Sequence, residues 1–252
     1  MSFDTFKTCI DKIPPRVNIG FSGMCEPWLN PECTKMLIYA HERGHKLEVF
    51  TTLVDMKIAD IDLISDIPFL EFCVHLPSDG KYENIVVDKY YLETLDKMCK
   101  SSIKASYLFN GKKLNAEVNV LMKGNSKNVA QNHLISRANN IIIEQERSPK
   151  RRKGIIGCRR GLHYNVLLPN GEVILCCMDY GMKHVLGNLL LSDYDALFKS
   201  KKFKNIKRGL WNQQQNILCR YCDEIAYDLI NKLYQDAMLN FKKIKLLIRR
   251  LI

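Results

Sequence analysis

Four cysteine positions in the second half of the chain have the residue type and spacing of a metal site: Cys158, either Cys176 or Cys177, Cys219 and Cys222. Two residues separate Cys219 from Cys222, so one turn of chain can present both thiolates to one metal. Four thiolates suit zinc or an iron–sulfur cluster equally well, and ligand count does not distinguish them. The spacing therefore predicts a four-thiolate metal centre and leaves its metal open. The alternative is that Cys176 and Cys177 are small buried hydrophobic residues.

A predicted β-hairpin brings these cysteines together. Its strands cover residues 163–168 and 172–177, and Asn170-Gly171 supplies the two positive φ angles of a two-residue turn. Cys176 and Cys177 then end the second strand. Because successive side chains of a strand point to opposite faces, we expect one of the two thiols to be a ligand and the other to lie in the core.

The composition indicates a globular chain without an export signal. The chain has 252 residues, 46% of them hydrophobic, and ten cysteines. The N-terminus carries charges throughout, and no uncharged run approaches the roughly 18 residues of a membrane span. We therefore expect a cytoplasmic protein, in which cysteines serve as ligands or buried thiols more often than as disulfides.

A formal charge of +11 raises the question of polyanionic partners. The basic runs lack interleaved aromatic residues, and we place them in loops and on helix faces, so we expect neither nucleic acid nor a membrane surface as partner. The basic, apolar segment 240–252 is interpreted as a packed or frayed terminal helix, with a helix on an anionic membrane surface as the alternative. Charge alone does not assign a function.

The first 147 residues alternate strand-like and helical stretches, which is typical of βα units around a parallel sheet. The predicted strands are residues 17–22, 47–52, 70–76, 116–122 and 140–144. At strand ends, His75 with Ser78, and Glu117 with Lys123, are weaker candidates for ligand contact. A structural histidine and solvated charges are the alternatives for them.

The polar, basic stretch 146–153 is read as a linker. It divides the chain into residues 1–147, residues 154–225 with the cysteines, and a C-terminal helix over residues 226–252. The sequence therefore predicts an α/β protein with a small cysteine-rich domain of a β-hairpin plus helix after the βα units.

The cysteine-rich part resembles the SPASM domain, or the related twitch domain, of radical SAM enzymes. The pattern that carries this resemblance is Cys158-x12-Gly171-x4-Cys176, then Asp179, Gly187-Asn188 and Cys219-x2-Cys222. The resemblance implies one auxiliary [4Fe-4S] cluster on Cys158, Cys176, Cys219 and Cys222, and it selects Cys176 over Cys177. No cysteine follows Cys222, so a second auxiliary cluster is not implied. Zinc remains the alternative to the cluster.

The first part resembles the partial (βα) barrel of the same enzymes. The stretch VNIGFSGMCEPWLNPE, residues 17–32, is similar to the second barrel strand and its Gly-Gly-Glu-Pro loop, and residues 47–53, LEVFTTL, to the third strand. The resemblance implies that S-adenosylmethionine is a cofactor, bound by Ser22, Gly23, Cys25, Glu26, Pro27 and Thr51. Two positions depart from the family: Cys25 replaces the second glycine, and Thr51-Thr52-Leu53 replaces a Thr-Asn-Gly turn.

The Cys-x3-Cys-x2-Cys motif that holds the S-adenosylmethionine-cleaving cluster in radical SAM enzymes does not occur in the chain. The five predicted strands are also one short of a six-stranded partial barrel. We therefore expect an incomplete barrel that lacks its first strand and an upstream cluster-binding segment, with an open edge that can pair with another chain.

The resemblance implies radical modification of a substrate by S-adenosylmethionine and [4Fe-4S] clusters, with an electron donor as partner. Relatives act on peptides, proteins, sugars and small metabolites, so the substrate stays undefined. We expect the chain alone to be truncated or inactive in this chemistry. Two alternatives remain: a non-catalytic iron–sulfur module for electron transfer or partner binding, and a zinc-stabilised module that binds nucleic acid.

Overall fold

The computed structural model describes residues 1–22, 24–79, 85–132, 138, 155–158, 162–211, 217–222 and 224. The helices are α1 Phe3–Ile10, α2 Cys33–Glu42, α3 Ile58–Ile64, α4 Lys89–Lys100, α5 Ala116–Gly124, α6 Tyr194–Lys199 and α7 Lys201–Trp211. The strands are β1 Ile19–Phe21, β2 Leu47–Thr51, β3 Glu71–Leu76, β4 Ala105–Asn110, β5 Val129–Asn132, β6 Val166–Leu167, β7 Glu172–Ile174 and β8 Val185–Asn188. Short 3-10 helices cover Pro27–Leu29 and Leu218–Tyr221.

Strands β1 to β5 form one parallel sheet in chain order. A helix follows each of the first four strands, which is the βα pattern of a partial barrel. The core lies between the sheet and these helices, and it contains Leu37, Val49, Ile61, Phe72 and Leu95, all buried. The predicted α/β class and partial barrel are therefore confirmed.

The strands predicted at residues 17–22, 47–52 and 70–76 are confirmed as β1, β2 and β3. The strand predicted at residues 116–122 is wrong, since this stretch forms α5. The Asn115 side chain caps α5 by accepting hydrogen bonds from the backbone N–H groups of Glu117 and Val118, at 3.0 and 3.2 Å. Glu117 and Lys123 consequently lie on a helix and do not mark strand ends.

Two strands of the sheet were not predicted, β4 and β5. Strand β4 follows a short turn after α4. The prediction placed the fourth strand further along the chain, at residues 116–122. Strand β5 has three exposed residues out of four, so it lacks the apolar pattern of a buried strand. The strand predicted at 140–144, the linker at 146–153 and the helix at 226–252 lie outside the described residues.

Strands β6, β7 and β8 form a small second sheet in which β7 is central. The β6–β7 connection has a different turn from the predicted one. Leu168 donates its N–H to the Glu172 carbonyl at 2.7 Å, so three residues form the loop, and only Gly171 has a positive φ, +80°. This is the three-residue hairpin with a glycine in the left-handed region. A Cβ at Gly171 would lie 2.6 Å from Leu190 Cγ, so glycine is needed there for space as well.

Contacts divide the chain into two compact units. The first contains Met1–Leu134, Leu167–Val173 and Gly187–Ala196, and the second contains Ile135–Val166, Ile174–Leu186 and Leu197–Ile252. The first unit carries the parallel sheet, and the second carries the cysteine-rich segments. No helix in the described ranges is both long enough and apolar enough to span a membrane.

Candidate metal centre and cofactor loop

In the second unit, the four predicted ligands line one pocket. Its wall contains Cys158, Cys176, Cys219 and Cys222, together with the apolar side chains of Leu162, Met178 and Leu218 and with Gly157, Tyr164 and Glu224. The four cysteines come from three separate stretches of sequence, so the fold has brought them together. Cys177, the alternative to Cys176, is not among the residues that line this pocket.

The electrostatics of the pocket also show that the four thiols are neighbours. Burial, and then the charges of Cys176, Cys158 and Cys222, raise the pKa of Cys219 far above its ordinary range. Burial is likewise the main cause that raises the pKa of Cys176 to about 12, with the charges of Cys177, Cys222 and Cys158 adding to it. Without a metal, the buried thiols of Cys176 and Cys219 are therefore protonated at neutral pH. A cationic metal or cluster would supply the charge that makes the thiolates favourable.

Backbone N–H groups are already directed at two of the sulfurs. The Glu224 N–H donates to Cys222 Sγ at 3.3 Å, and the backbone N–H of Met178 donates to the Cys176 thiol. Such N–H···S bonds stabilise thiolates and tune the potentials of iron–sulfur clusters. The donor set and its surroundings therefore fit a cluster. In the described ranges, no group of three or more His, Cys, Asp or Glu side chains, these cysteines included, is already arranged as a metal-ion site.

The segment after β7 differs from the predicted strand end. Strand β7 stops at Ile174, so Cys176 and Cys177 lie in the following turn, and the alternation of strand faces does not separate them. Both are half-buried, and Cys177 is therefore not the buried core residue that the sequence analysis expected. The turn places Cys176 in the pocket without a bulge.

His184 connects this turn to the segment of the other two cysteines, and the sequence analysis missed it. Its ring Nδ1 lies 3.4 Å from Asp179 Oδ2, and its Nε2 accepts a hydrogen bond from the Leu218 N–H at 3.5 Å. Leu218 begins the 3-10 helix that contains Cys219. The imidazole therefore lies between the turn after Cys176 and the segment that contains Cys219.

Asp179 is fully buried and holds the turn in place. Its carboxylate accepts the N–H of Lys183 at 3.1 Å and the N–H of His184 at 2.7 Å. Burial raises the pKa of Asp179, but the nearby His184 ring and the two backbone N–H groups outweigh burial and hold the pKa below its usual range. The charged carboxylate is thus part of the folded turn.

In the first unit, the predicted cofactor loop lies at the carboxyl ends of β1 and β2. Ser22 and Cys25 are exposed in this loop, and Pro27 begins a 3-10 helix. Gly23 lies outside the described residues. Thr51 is buried at the end of β2. The structure therefore brings the two predicted halves of the site, residues 22–27 and Thr51, to one edge of the sheet.

The Glu26 side chain ties the two strand ends together. Its Oε1 accepts the Thr51 hydroxyl at 2.6 Å and the Trp28 N–H at 3.2 Å. Its Oε2 accepts the Thr52 N–H at 2.5 Å and the Thr52 hydroxyl at 2.7 Å. Four donors match the roughly four acceptor positions of a carboxylate. Thr52, which was not predicted as a site residue, thus supplies two of the four donors, and Thr51 supplies one.

The turn after β2 has a positive φ angle at Leu53, a position where glycine is the usual residue. Leu53 has φ +65°, although it is not glycine, and its side chain is buried. A left-handed conformation costs a non-glycine residue about 1–2 kcal/mol, and burial of a leucine offsets this. Cys25 does not share this strain, since it is not among the residues with a positive φ.

Comparison with known proteins finds one family match, in the cysteine-rich part of the chain. Residues 158–223 match the SPASM family, described as an iron–sulfur cluster-binding domain. No curated protein matches the chain significantly.

Solved structures of BtrN and anSMEcpe are similar to this chain in fold. A structure of BtrN in complex with AdoMet and 2-DOIA has a TM-score of 0.56 and 14% identity, over 88% of this chain and 80% of BtrN. An open conformation of BtrN has a TM-score of 0.52 over the same shares, also at 14% identity.

Native anSMEcpe with bound AdoMet has a TM-score of 0.56 and 11% identity, over 81% of this chain and 73% of that one. The chain therefore shares the fold of these solved structures, and its residues 158–223 match the SPASM iron–sulfur cluster-binding domain.

Proposed function

We propose that the chain is a radical SAM/SPASM-type iron–sulfur protein that holds one auxiliary [4Fe-4S] cluster on Cys158, Cys176, Cys219 and Cys222. The observation that carries this proposal is the convergence of these four thiols in one pocket within the region that matches the SPASM domain. The apolar wall and the two N–H···S hydrogen bonds support it. Such a cluster accepts and donates single electrons.

The four ligands are tested one at a time, because the chain offers a matched control beside one of them. Each of Cys158→Ser, Cys176→Ser, Cys219→Ser and Cys222→Ser should lower the iron content after anaerobic reconstitution, whereas Cys177→Ser should keep the iron content of the unaltered chain. Loss of iron in Cys177→Ser, with retention in Cys176→Ser, would reverse the assignment within this pair.

The proposal extends to S-adenosylmethionine, with the loop 22–27 and Thr51 as its binding site. Because the Glu26 carboxylate is occupied by donors from Thr51, Thr52 and Trp28, we infer that Glu26 positions the loop. The backbone of residues 22–27 is then what meets the methionyl amino group. Two structures of similar fold contain AdoMet, which supports this part of the proposal.

We propose further that these 252 residues do not cleave S-adenosylmethionine by themselves, since no Cys-x3-Cys-x2-Cys motif occurs among them. Equilibrium dialysis should show S-adenosylmethionine binding, and the reconstituted, reduced chain should release no 5′-deoxyadenosine. Release of 5′-deoxyadenosine would overturn this statement.

The last part of the proposal concerns the edge of the parallel sheet at β1. Strand β1 is the first in the strand order, three residues long, and β2 pairs with it in the parallel sheet. We propose this edge as the place where a further strand of the barrel, from another chain or segment, pairs. Crosslinking through a cysteine introduced at the exposed Gly20 would identify such a neighbour.

A further inference from the structure

Helix α7, Lys201–Trp211, presents an unusually basic face in the second unit. Residues 199–211 contain six cations, Lys199, Lys201, Lys202, Lys204, Lys207 and Arg208, and no acidic residue. All six are exposed. On the opposite face of α7, Phe203, Ile206 and Gly209 are buried. The basic face is therefore fixed in orientation by an apolar face that packs inward.

The end of α7 is hydrogen-bonded directly to two of the three segments that carry the proposed cluster ligands. The Leu210 carbonyl accepts the N–H of Ile156, two residues before Cys158, at 2.9 Å. The Gly209 carbonyl accepts Arg220 Nη2 at 2.8 Å, and Arg220 is the buried neighbour of Cys219. The basic face thus belongs to a helix whose end is hydrogen-bonded to the segments of Cys158 and Cys219.

From these two observations, we propose that the basic face of α7 is the docking surface for an acidic one-electron carrier protein of the ferredoxin type. The inference rests on the proposed function, because it requires a cluster in the pocket. One electron passes from the reduced carrier to the oxidised cluster, whose formal charge falls from 2+ to 1+. The carrier is left oxidised by one electron, and no bond forms or breaks.

The size of the face suits this kind of partner. An 11-residue helix is about 16 Å long and about 10–12 Å wide, so its outer face offers a few hundred Å². Electron-transfer encounters are among the smallest protein interfaces, and charge complementarity governs their association rate. Specific nucleic-acid interfaces are larger, commonly 1,000–2,500 Å² of protein surface.

Burial on the inner face of α7 also disfavours nucleic acid and an anionic membrane surface as partners of the basic face. Phe203, within the cationic stretch, is only 8% exposed and cannot stack on a base. Trp211 is 70% exposed at the end of the helix, where a single large aromatic can anchor a protein partner. A membrane-surface helix would instead expose its apolar face, and α7 buries that face in the protein.

The test compares two triple charge reversals. Lys201→Glu/Lys202→Glu/Lys204→Glu alters the basic face at the start of α7, where the helix dipole favours negative charge. Lys46→Glu/Lys112→Glu/Lys113→Glu changes the net charge equally through exposed lysines of the other unit. Both are reconstituted beside the unaltered chain, and dithionite should reduce the cluster of all three equally.

The readouts are the rate of electron transfer from a reduced plant-type ferredoxin and the affinity for the oxidised ferredoxin by calorimetry. We expect the α7 reversal to lower both at least tenfold at low salt and the control reversal to change each less than twofold. The proposal would be overturned if both triple variants lost electron-transfer rate and ferredoxin affinity equally. It would also be overturned if the α7 triple variant kept the rate and affinity of the unaltered chain. Weaker ferredoxin binding with stronger binding of a DNA duplex by the unaltered chain would do so as well.

The outcomes distinguish this inference from the proposed function. If the unaltered chain binds no iron, the proposed function fails, and the docking proposal fails with it. If all three proteins hold the same amount of iron and only the docking readouts are insensitive to α7, the docking proposal fails alone.

Discussion

The carboxylate of Glu26 accepts two hydrogen bonds from one residue, Thr52, at 2.5 Å from the backbone nitrogen and 2.7 Å from the hydroxyl. With Thr51 and Trp28 as further donors, this carboxylate joins the loop after β1 to the end of β2. The loop that we propose for S-adenosylmethionine therefore depends on a single acidic side chain.

Replacement of Glu26 should destabilise the first unit. In Glu26→Ala, four donors lose their acceptor at once, and we expect the free energy of unfolding to fall by about 2–3 kcal/mol in a urea titration. Glu42→Ala, an exposed residue at the end of α2, should change it by less than about 0.5 kcal/mol. Equal stability of the two variants would show that the Glu26 hydrogen bonds do not hold the loop.

Cys25 should report on cofactor binding through its reactivity. It is the one cysteine of the ten that is classed as exposed, and it lies in the proposed S-adenosylmethionine loop. Iodoacetamide should therefore alkylate Cys25 first, and saturating S-adenosylmethionine should slow this reaction at least fivefold.

Peptide mass mapping of the alkylated chain checks the site, and Cys25→Ser provides the control that should lose the fast phase. Alkylation of Cys25 at the same rate with and without S-adenosylmethionine would contradict a cofactor site in this loop.

His184 should slow the loss of iron from the site by holding the segment with Cys219 and Cys222 in position. In His184→Leu, the Leu218 N–H loses its acceptor, and the segment with Cys219 and Cys222 is no longer held. We expect iron loss to a chelator to accelerate about 10–100-fold, the range found for residues that support metal ligands. His184→Gln can still donate to Asp179 and accept from Leu218, so it should restore slow loss.

Lys183→Ala is the control for this comparison, because only the backbone of exposed Lys183 contacts Asp179. Identical iron loss from His184→Leu, His184→Gln and Lys183→Ala would show that the imidazole has no positioning role.

The metal-free protein should lose stability as the pH rises above 9. Burial raises the pKa of Cys176 from 9.0 to about 12, so the folded state keeps a proton that the unfolded state releases. The unfolded state then binds fewer protons, and the free energy of unfolding falls with pH by up to about 1.4 kcal/mol per unit for this group.

Urea titrations between pH 8 and 10.5 check this prediction against Cys176→Ser, which removes the titrating thiol. The pH slope of the variant should be shallower than that of the unaltered chain, while Cys25→Ser should leave it unchanged. Parallel slopes for all three proteins would show that Cys176 is not buried as described.

The parts of the fold that the sequence predicted correctly are those with strong local signals. Strands β1 to β3 are short apolar stretches bounded by turns, and the resemblance to a barrel loop covers the first of them. Residues 116–122 are apolar enough for a strand, but the Asn115 cap favours a helix, and the cap was overlooked. Strand β5 is mostly exposed and carries no apolar pattern to detect.

In the candidate site, too, local sequence patterns predicted some residues and not others. The cysteine spacing predicted Cys158, Cys219, Cys222 and either Cys176 or Cys177, and the resemblance to the SPASM domain selected Cys176. The structure places Cys158, Cys176, Cys219 and Cys222 in the wall of one pocket. The role of His184 depends on Leu218, 34 residues further along the chain, and no local pattern reveals such a contact. The Asn-Gly pair indicated a hairpin correctly but did not specify whether its loop has two or three residues.

Whether the four cysteines hold an iron–sulfur cluster is decided by anaerobic reconstitution, followed by an absorption spectrum and by iron, sulfide and zinc analysis of the chain and of Cys219→Ala/Cys222→Ala. We expect about four irons per chain and a broad band near 400 nm, both lost in the variant. One zinc per chain, without colour, would contradict the account and make the four cysteines a structural zinc site.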